Sequence, residues 1–374
     1  NNYAVWCFVE ARAQRLANIS IVNPRKAIIV IGLIAAIASC YPVIFSGKTF
    51  VSPVGSSLYA GTPFVPGFQF DGDLEHFRGS DLGAMVWSFA PNSVVQHDSI
   101  LRDFEFPFWS RYVGLGVPLY GQGQSMIGDV LHWIPVLLNG SAVGWDLKFI
   151  LSKLIFAVGM GLLVFRLTGN LVAGSLIAIS SCFLGFFAFR FNHPAYFVLT
   201  YVPWVLLQWD HFGKTLALPQ PKIKDCALQG LLLAAVIWLA LNAGAVKESV
   251  ILALFIQTLG MLFFMAHLYR KWGGGKSFVL ACWVGFAIVM VAAPYWLIFL
   301  DSLSKSYTVY DTPKIVPLPL WGIVGFFDNI FTQASFNGLT GPSVNLFTLL
   351  CMSSALISLR FRQSVIVYGT WGLF

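Results

Sequence analysis

Asp71, Asp73, Glu75 and Asp81 fall within eleven residues, DGDLEHFRGSD (71–81), four of the chain's 16 acids. Carboxylates gathered this way hold a metal, move protons, or simply solvate a surface loop. Asp71-Gly72-Asp73 has the form of a DxD motif, in which two carboxylates hold a divalent cation, magnesium or manganese, against a phosphate. The pattern is short and fits a solvated loop equally well. Asp81 closes the cluster. It is followed by LGAMVWSFAPNSVVQHDSIL (82–101), a stretch that reads as an amphipathic helix on the membrane surface, broken near Pro91. Next comes RDFEFPFWSRYVGLGVPLY (102–120), with Trp109 and Arg111 among aromatics. Gly114 and Gly116 permit close backbone approach there, and Pro107 and Pro118 break regular structure.

Other charged residues stand at the ends of apolar runs. Arg190, His193 and Lys247 are placed where a phosphate at the membrane surface would need cationic neighbours, with Glu248 beside Lys247. The plainer readings are snorkelling for Arg190 and Lys247, capping or packing for His193, and an ion pair for Glu248. Lys153 lies about one turn inside an apolar run. The six cysteines are dispersed, without CxxC or Cys/His clusters, and read as packing residues. There is no GxSxG, HExxH, Walker A or dinucleotide fingerprint. Gly273-Gly274-Gly275-Lys276 lacks P-loop spacing and reads as a turn.

The elements that must position these residues are transmembrane helices. Charged residues make up 10% of the chain and hydrophobic ones 57%, against about 25% charged in a soluble domain. Apolar runs long enough to cross a bilayer lie near 27–45, 149–166, 171–189, 196–212, 227–245, 249–268, 277–299 and 343–359, and a further run begins near 364. With a cytoplasmic N-terminus, the inner segments hold 13 of the 23 Lys and Arg and only three acids, as the positive-inside rule requires. The net charge of +7 follows from this topology, so nucleic acid is not an expected partner. The chain divides into a cytoplasmic segment (1–26), a first span (27–45), a long extracytoplasmic loop (46–147), six spans (148–299), a second extracytoplasmic loop (300–342) and an eighth span with the start of a ninth (343–374). A loop of that first length is expected to be functional. The missing initial Met and the run cut at Phe374 read as a piece of a longer protein, and no signal peptide is recognised.

Asp81 followed by LRDFEFPFWSRYVGLGVPLYGQGQSMIGDVLHWIP (101–135) resembles the first outer loop of the YfhO-like bacterial membrane proteins of the GT-C glycosyltransferase class. Phe106-Pro107-Phe108-Trp109 and Gly114 to Leu119 carry the match. The Gly that the pattern places before the first Pro is absent, with Glu105 and Phe106 in its region. NHPAYFVLTYVPWVLL (192–207), NAGAVKESVILAL (242–254) and APYWLIFLDSLSKS (293–306) extend the resemblance over about 75–306. It implies an all-α polytopic GT-C-like helix bundle whose long first extracytoplasmic loop carries amphipathic helices. It also implies sugar transfer from a polyprenyl-phosphate donor to an extracytoplasmic glycan or lipid acceptor at the bacterial plasma membrane. In that scheme Asp81, by its distance to Trp109, is the catalytic carboxylate. Trp109, Arg111, Arg190, His193, Lys247 and Glu248 bind substrate, and Asp71 and Asp73 hold any metal.

Two other functions stay open on the sequence. One is a non-catalytic subunit that keeps the scaffold inside a larger protein complex. The other is a lipid or solute transporter, which would require ionisable residues in mid-span and broken helices there.

Overall fold

The computed structural model describes residues 23–51, 85–112, 116–120, 125–184, 187, 194–244, 246–305, 350, 351, 353, 354 and 357. Its long helices are α1 (Pro24–Ser39), α2 (Ala90–Leu101), α3 (Ala142–Thr168), α4 (Leu171–Ser181), α5 (Val202–Ala217), α6 (Ile223–Asn242), α7 (Val246–Val291) and α8 (Ala293–Lys305). Among the described residues the strands are β1 (Trp109–Ser110) and β2 (Val117–Pro118), paired antiparallel with Trp109 opposite Pro118.

Local sequence explains the boundaries. Asn23 accepts the Arg25 N–H, and Pro24, which needs no helical partner for its nitrogen, opens α1. The Ser141 hydroxyl accepts the Gly144 N–H and caps α3. Gly169 ends α3 at φ 69°, a left-handed position natural to glycine, and Asn170 caps α4 by accepting the Ala173 N–H. α7 is interrupted at Gly273 (φ 74°, ψ 169°). A β-carbon built on Gly285 would lie 3.6 Å from Met261 Sδ, so the chain folds back there into two arms, Leu252–Tyr269 and Lys271–Val291. The expected GGGK turn is this reversal.

Among the described residues, four helices are long and apolar enough to cross a membrane: Ala142–Thr168, Ile223–Asn242, Leu252–Tyr269 and Lys271–Val291. Their outer faces stay apolar. Leu231 on α6 is 68% exposed and Trp283 on α7 is 65% exposed. Helices that are hydrophobic all round belong in lipid. The chain is an all-α, multi-pass membrane protein.

Two expected spans depart from straight crossings. α4 stops at Ser181, after 11 residues, rather than continuing to 189. The hydroxyls of Ser180 and Ser181 both donate to the Ile177 carbonyl, drawing on an acceptor of the helix ladder. After the turn at Cys182 and Phe183, the described chain has a helical residue at Phe187 and a short helix, Ala195–Val198, before α5, with Pro194 and Pro203 at the starts of the last two. The run 27–45 divides into α1 and a short helix, Tyr41–Phe45.

Packing is close where α1 crosses α3 and α4. A β-carbon on Gly161 would stand 2.7 Å from Ala178 Cβ, 2.8 Å from the Gly174 carbonyl oxygen and 2.8 Å from Ile28 Cγ2. Bare glycine on both α3 and α4 lets the backbones approach, as small residues do in membrane helices. The aromatic core sits nearer the start of α3, where Phe149 packs on Tyr196 and Phe197 at centroid distances of 4.7 Å each.

The described parts of the long first loop pack on the bundle. Asp146 in the first turns of α3 accepts the Phe50 N–H at 2.8 Å and the Thr49 hydroxyl at 3.0 Å, which joins the two ends of the loop. A wide turn over Met85–Phe89 leads into α2, with Pro91 in its first turn. Met85, Phe89, Ser93 and Gln96 form the buried face. That face is met by protein, with Phe89 6.5 Å from the Trp145 ring, rather than by a membrane surface as the sequence leads one to expect.

Candidate functional site

Described parts of three of the segments that carry the sequence pattern converge at one end of the bundle. The start of α3 and the loop 125–132 meet the chain at 194–201 and the turn between α6 and α7. The Tyr201 hydroxyl donates to Asp129 Oδ1 at 2.6 Å, and the Tyr196 hydroxyl donates to the Phe149 carbonyl at 3.3 Å. A β-carbon on Gly128 would collide with the Asn242 side chain, and one on Gly244 with the Pro194 carbonyl oxygen.

At this junction lies a buried charged network. Lys148 Nζ is 3.0 Å from Asp129 Oδ2, with side-chain exposures of 0% and 1%. The same ammonium stands 3.4 Å from His132 Nδ1 and 3.2 Å from Met126 Sδ, and 4.3 Å above the Phe197 ring centroid. His132 Nε2 is 2.7 Å from Gln96 Oε1, whose amide nitrogen donates to the Ser125 carbonyl at 2.8 Å. The roles follow from the partners. Gln96 Oε1 only accepts, so His132 carries its proton on Nε2 and offers Nδ1 as an acceptor to Lys148. Asp129 Oδ1 also caps the turn Val130–His132 through the Leu131 N–H at 3.2 Å. The network joins α2, the loop, α3 and the start of α5.

Burial, followed by the positive charge of Lys148, holds the His132 imidazole well below the usual histidine range, so it is neutral in the fold. The unfolded chain takes up a proton near pH 6.5 while folded His132 does not. Stability is therefore fully present above that pH and falls as pH drops below it, until the folded imidazole itself titrates. The thermal midpoint in detergent is expected to decline between pH 7 and 5.5. The decline should be shallower in His132→Gln, and an unchanged slope there would assign the loss to other groups.

A second charged cluster lies at the other end of α3. Asp210 Oδ2 is 2.8 Å from Arg166 Nε and 3.3 Å from Lys214 Nζ, and Oδ1 is 2.7 Å from His267 Nε2. Arg166 follows Lys148 by 18 residues, about 27 Å of helix, close to the ~30 Å hydrocarbon thickness. The two clusters are thus separated by about the thickness of a bilayer core.

The residues expected from the sequence divide by place. Trp109 is half exposed on β1 and covers Gly116, where φ is +106° and a β-carbon would come within 2.5 Å of Trp109 Cε2. Glycine is required there by both conformation and space. Arg111 is paired with Glu105 at 2.8 Å, with both side chains more than 60% exposed. Phe104, Phe106, Phe108 and Tyr112 complete an exposed aromatic arm. Lys247 and Glu248 occupy the first turn of α7, at the converging end. Asp71, Asp73, Asp81, Arg190 and His193 lie outside the described residues, as do Tyr307, Tyr310, Asp311 and Asp328 of the second loop. Among the described residues no group of His, Cys, Asp and Glu is arranged to hold a metal ion.

Asp129, His132, Lys148, Gln96 and Tyr201 were not singled out by residue type or spacing. Their one sequence signal is Lys148 near the start of an apolar run, with no acid three or four residues away. Its partner, Asp129, is 19 residues upstream across a turn.

No family model, curated protein or solved structure matches the chain. What fold and site define is thus a class, the multi-pass α-helical membrane proteins, with a folded loop seated on the bundle by a buried ion pair.

Proposed function

We propose that the protein is a GT-C-type membrane glycosyltransferase, moving a sugar from a polyprenyl-phosphate donor to an extracytoplasmic glycan or lipid acceptor. The reading places it in the bacterial plasma membrane with its N-terminus in the cytoplasm. One observation carries it. The segments 101–135, 192–207 and 242–254, far apart in sequence, come together at one end of the bundle, beside the start of α3. The exposed aromatics of the arm, with Trp109 and Arg111, suit a sugar and its phosphate. Asp81 takes the role of general base toward the acceptor hydroxyl, with Arg190, His193, Lys247 and Glu248 around the leaving phosphate. Any magnesium or manganese falls to Asp71 and Asp73.

The test is sugar transfer in proteoliposomes supplied with polyprenyl-phosphate-linked sugars. The wild type should transfer, and Asp81→Asn should be slower by about 10²–10⁴, the span of general acid–base catalysis. Undiminished transfer by Asp81→Asn removes that residue from catalysis. Wild type that transfers from no donor points to a non-catalytic subunit.

A second reading, a lipid or solute transporter, is favoured by a specific pair of features. α4 breaks off after 11 residues, and Lys153 is buried in the middle of α3. Broken helices and intramembrane charge accompany translocation sites. Movement of a labelled lipid phosphate between leaflets, independent of any sugar acceptor, distinguishes this reading.

A further inference from the structure

Lys153, about one turn inside the apolar run, lies three turns inside α3, because the helix begins at Ala142. It is 6% exposed. Arg166, at the inner end, is 13 residues away, about 20 Å along the helix, which puts Lys153 about 10 Å below the outer edge of a ~30 Å hydrocarbon core. Its ammonium lies 5.6 Å from the Phe187 ring centroid. Among the described residues it has neither a carboxylate nor a hydrogen-bond partner. Lys148, five residues earlier, has both. A buried cation without a counter-charge is costly, and an intramembrane one marks a functional position by default.

Two buried hydroxyls at the same level are also unpartnered. The segment after the break in α4 runs parallel to α3. The Tyr196 hydroxyl reaches the Phe149 carbonyl, and Trp204 Nε1 donates to the Ile155 carbonyl at 2.9 Å. Ser152 is midway between Phe149 and Ile155, and Thr200 is midway between Tyr196 and Trp204. Ser152 Oγ and Thr200 Oγ1 are buried without a hydrogen-bond partner in the described structure. Among the described residues, one level of the bundle thus holds a cation without a carboxylate and two hydroxyls without a hydrogen-bond acceptor.

We propose that Ser152, Lys153 and Thr200 form an intramembrane anion site that takes the phosphate of a lipid phosphate. A phosphate offers the counter-charge and several acceptor oxygens. An amphiphile can bring it to this depth, because its chain stays in apolar surroundings. The inference rests on the reading that the protein handles lipid phosphates. It concerns binding and holds whether the lipid is a sugar donor or a cargo.

The experiment is thermal unfolding of the purified protein in detergent with farnesyl phosphate, farnesol or inorganic phosphate. Farnesyl phosphate is expected to raise the midpoint in a concentration-dependent way. Farnesol and inorganic phosphate at the same concentrations should not. Lys153→Met is expected to unfold at a higher temperature than wild type without ligand, because an uncompensated charge has gone. Its affinity for farnesyl phosphate should fall by about tenfold or more. Lys153→Arg should keep the shift, and Thr200→Val should reduce it. An equal shift with farnesol, or one unchanged in Lys153→Met, overturns the site. An equal shift with inorganic phosphate overturns the lipid as its ligand. Should Lys153→Met not fold, Lys153→Gln gives the same comparison. Because no sugar is transferred, a protein that binds farnesyl phosphate yet lacks transferase activity sinks the enzyme reading and leaves the site standing.

Discussion

Asp129→Ala is expected to destabilise the protein by about 3–5 kcal/mol, the usual cost of leaving one member of a buried ion pair alone. The side chains of Asp129 and Lys148 are 1% and 0% exposed, so water cannot replace the lost carboxylate. Met126 Sδ and His132 Nδ1 are neutral acceptors and leave the ammonium's charge uncompensated. The Tyr201 phenol loses its acceptor in the same substitution. Asp129→Asn keeps the shape and loses the charge, and it should fall between Asp129→Ala and wild type. Asp129→Leu combined with Lys148→Met should be less damaging than either change alone, since an apolar pair of similar volume needs no counter-charge. The measurement is the thermal midpoint in detergent for wild type, Asp129→Ala, Asp129→Asn, the single changes Asp129→Leu and Lys148→Met, and the double variant. Additive losses would show that the two side chains do not act as a pair.

Gly161→Val should be almost as damaging, for a steric reason. The new β-carbon on α3 would sit 2.7–2.8 Å from three atoms of α1 and α4, and one of them is the Gly174 carbonyl oxygen, which no rotamer change can move aside. Overpacking typically costs about 1–3 kcal/mol and occasionally more. The upper end is expected here because α1, α3 and α4 must all separate. Gly161→Ala should cost less, in step with the smaller volume. The readout is the thermal midpoint together with the monodisperse fraction on size exclusion. A Gly161→Val protein as stable as wild type would mean that the three-helix crossing gives way easily.

The membrane class was legible because it depends on composition and run length, which need no tertiary knowledge. The expected spans at 249–268 and 277–299 correspond to the two arms of α7, and the turn between them was marked by Gly273-Gly274-Gly275. Within the expected span 171–189, α4 ends at Ser181, where two adjacent serines donate to the Ile177 carbonyl, a feature that hydropathy does not register. The start of α3 is hidden from hydropathy for a related reason. Asp146 and Lys148 shift the apparent start of the apolar run to 149, whereas the helix extends back to its cap at Ser141. The buried network could not be read from spacing, since Asp129 meets Lys148 across 19 residues and Tyr201 across 72. Only the fold brings such partners together. Trp109 and Arg111 were placed on an irregular, Gly- and Pro-bearing segment, and the β1–β2 arm is that segment. The pairing of Arg111 with Glu105 has no periodic signature.

The clasp of Thr49 and Phe50 on Asp146 bears on how the protein can vary. Thr49 and Phe50, beyond α1, are tied to Asp146 near the start of α3 by one carboxylate, so the two ends of the intervening segment are held together whatever its length. Loop-closure entropy grows only with the logarithm of length. Insertions or deletions inside that segment, if they spare the Gln96, Asp129 and His132 contacts, leave the spacing of the helices unaltered. The bundle thus behaves as a socket and the outer segment as an exchangeable insert, so chemistry and scaffold can diverge at different rates.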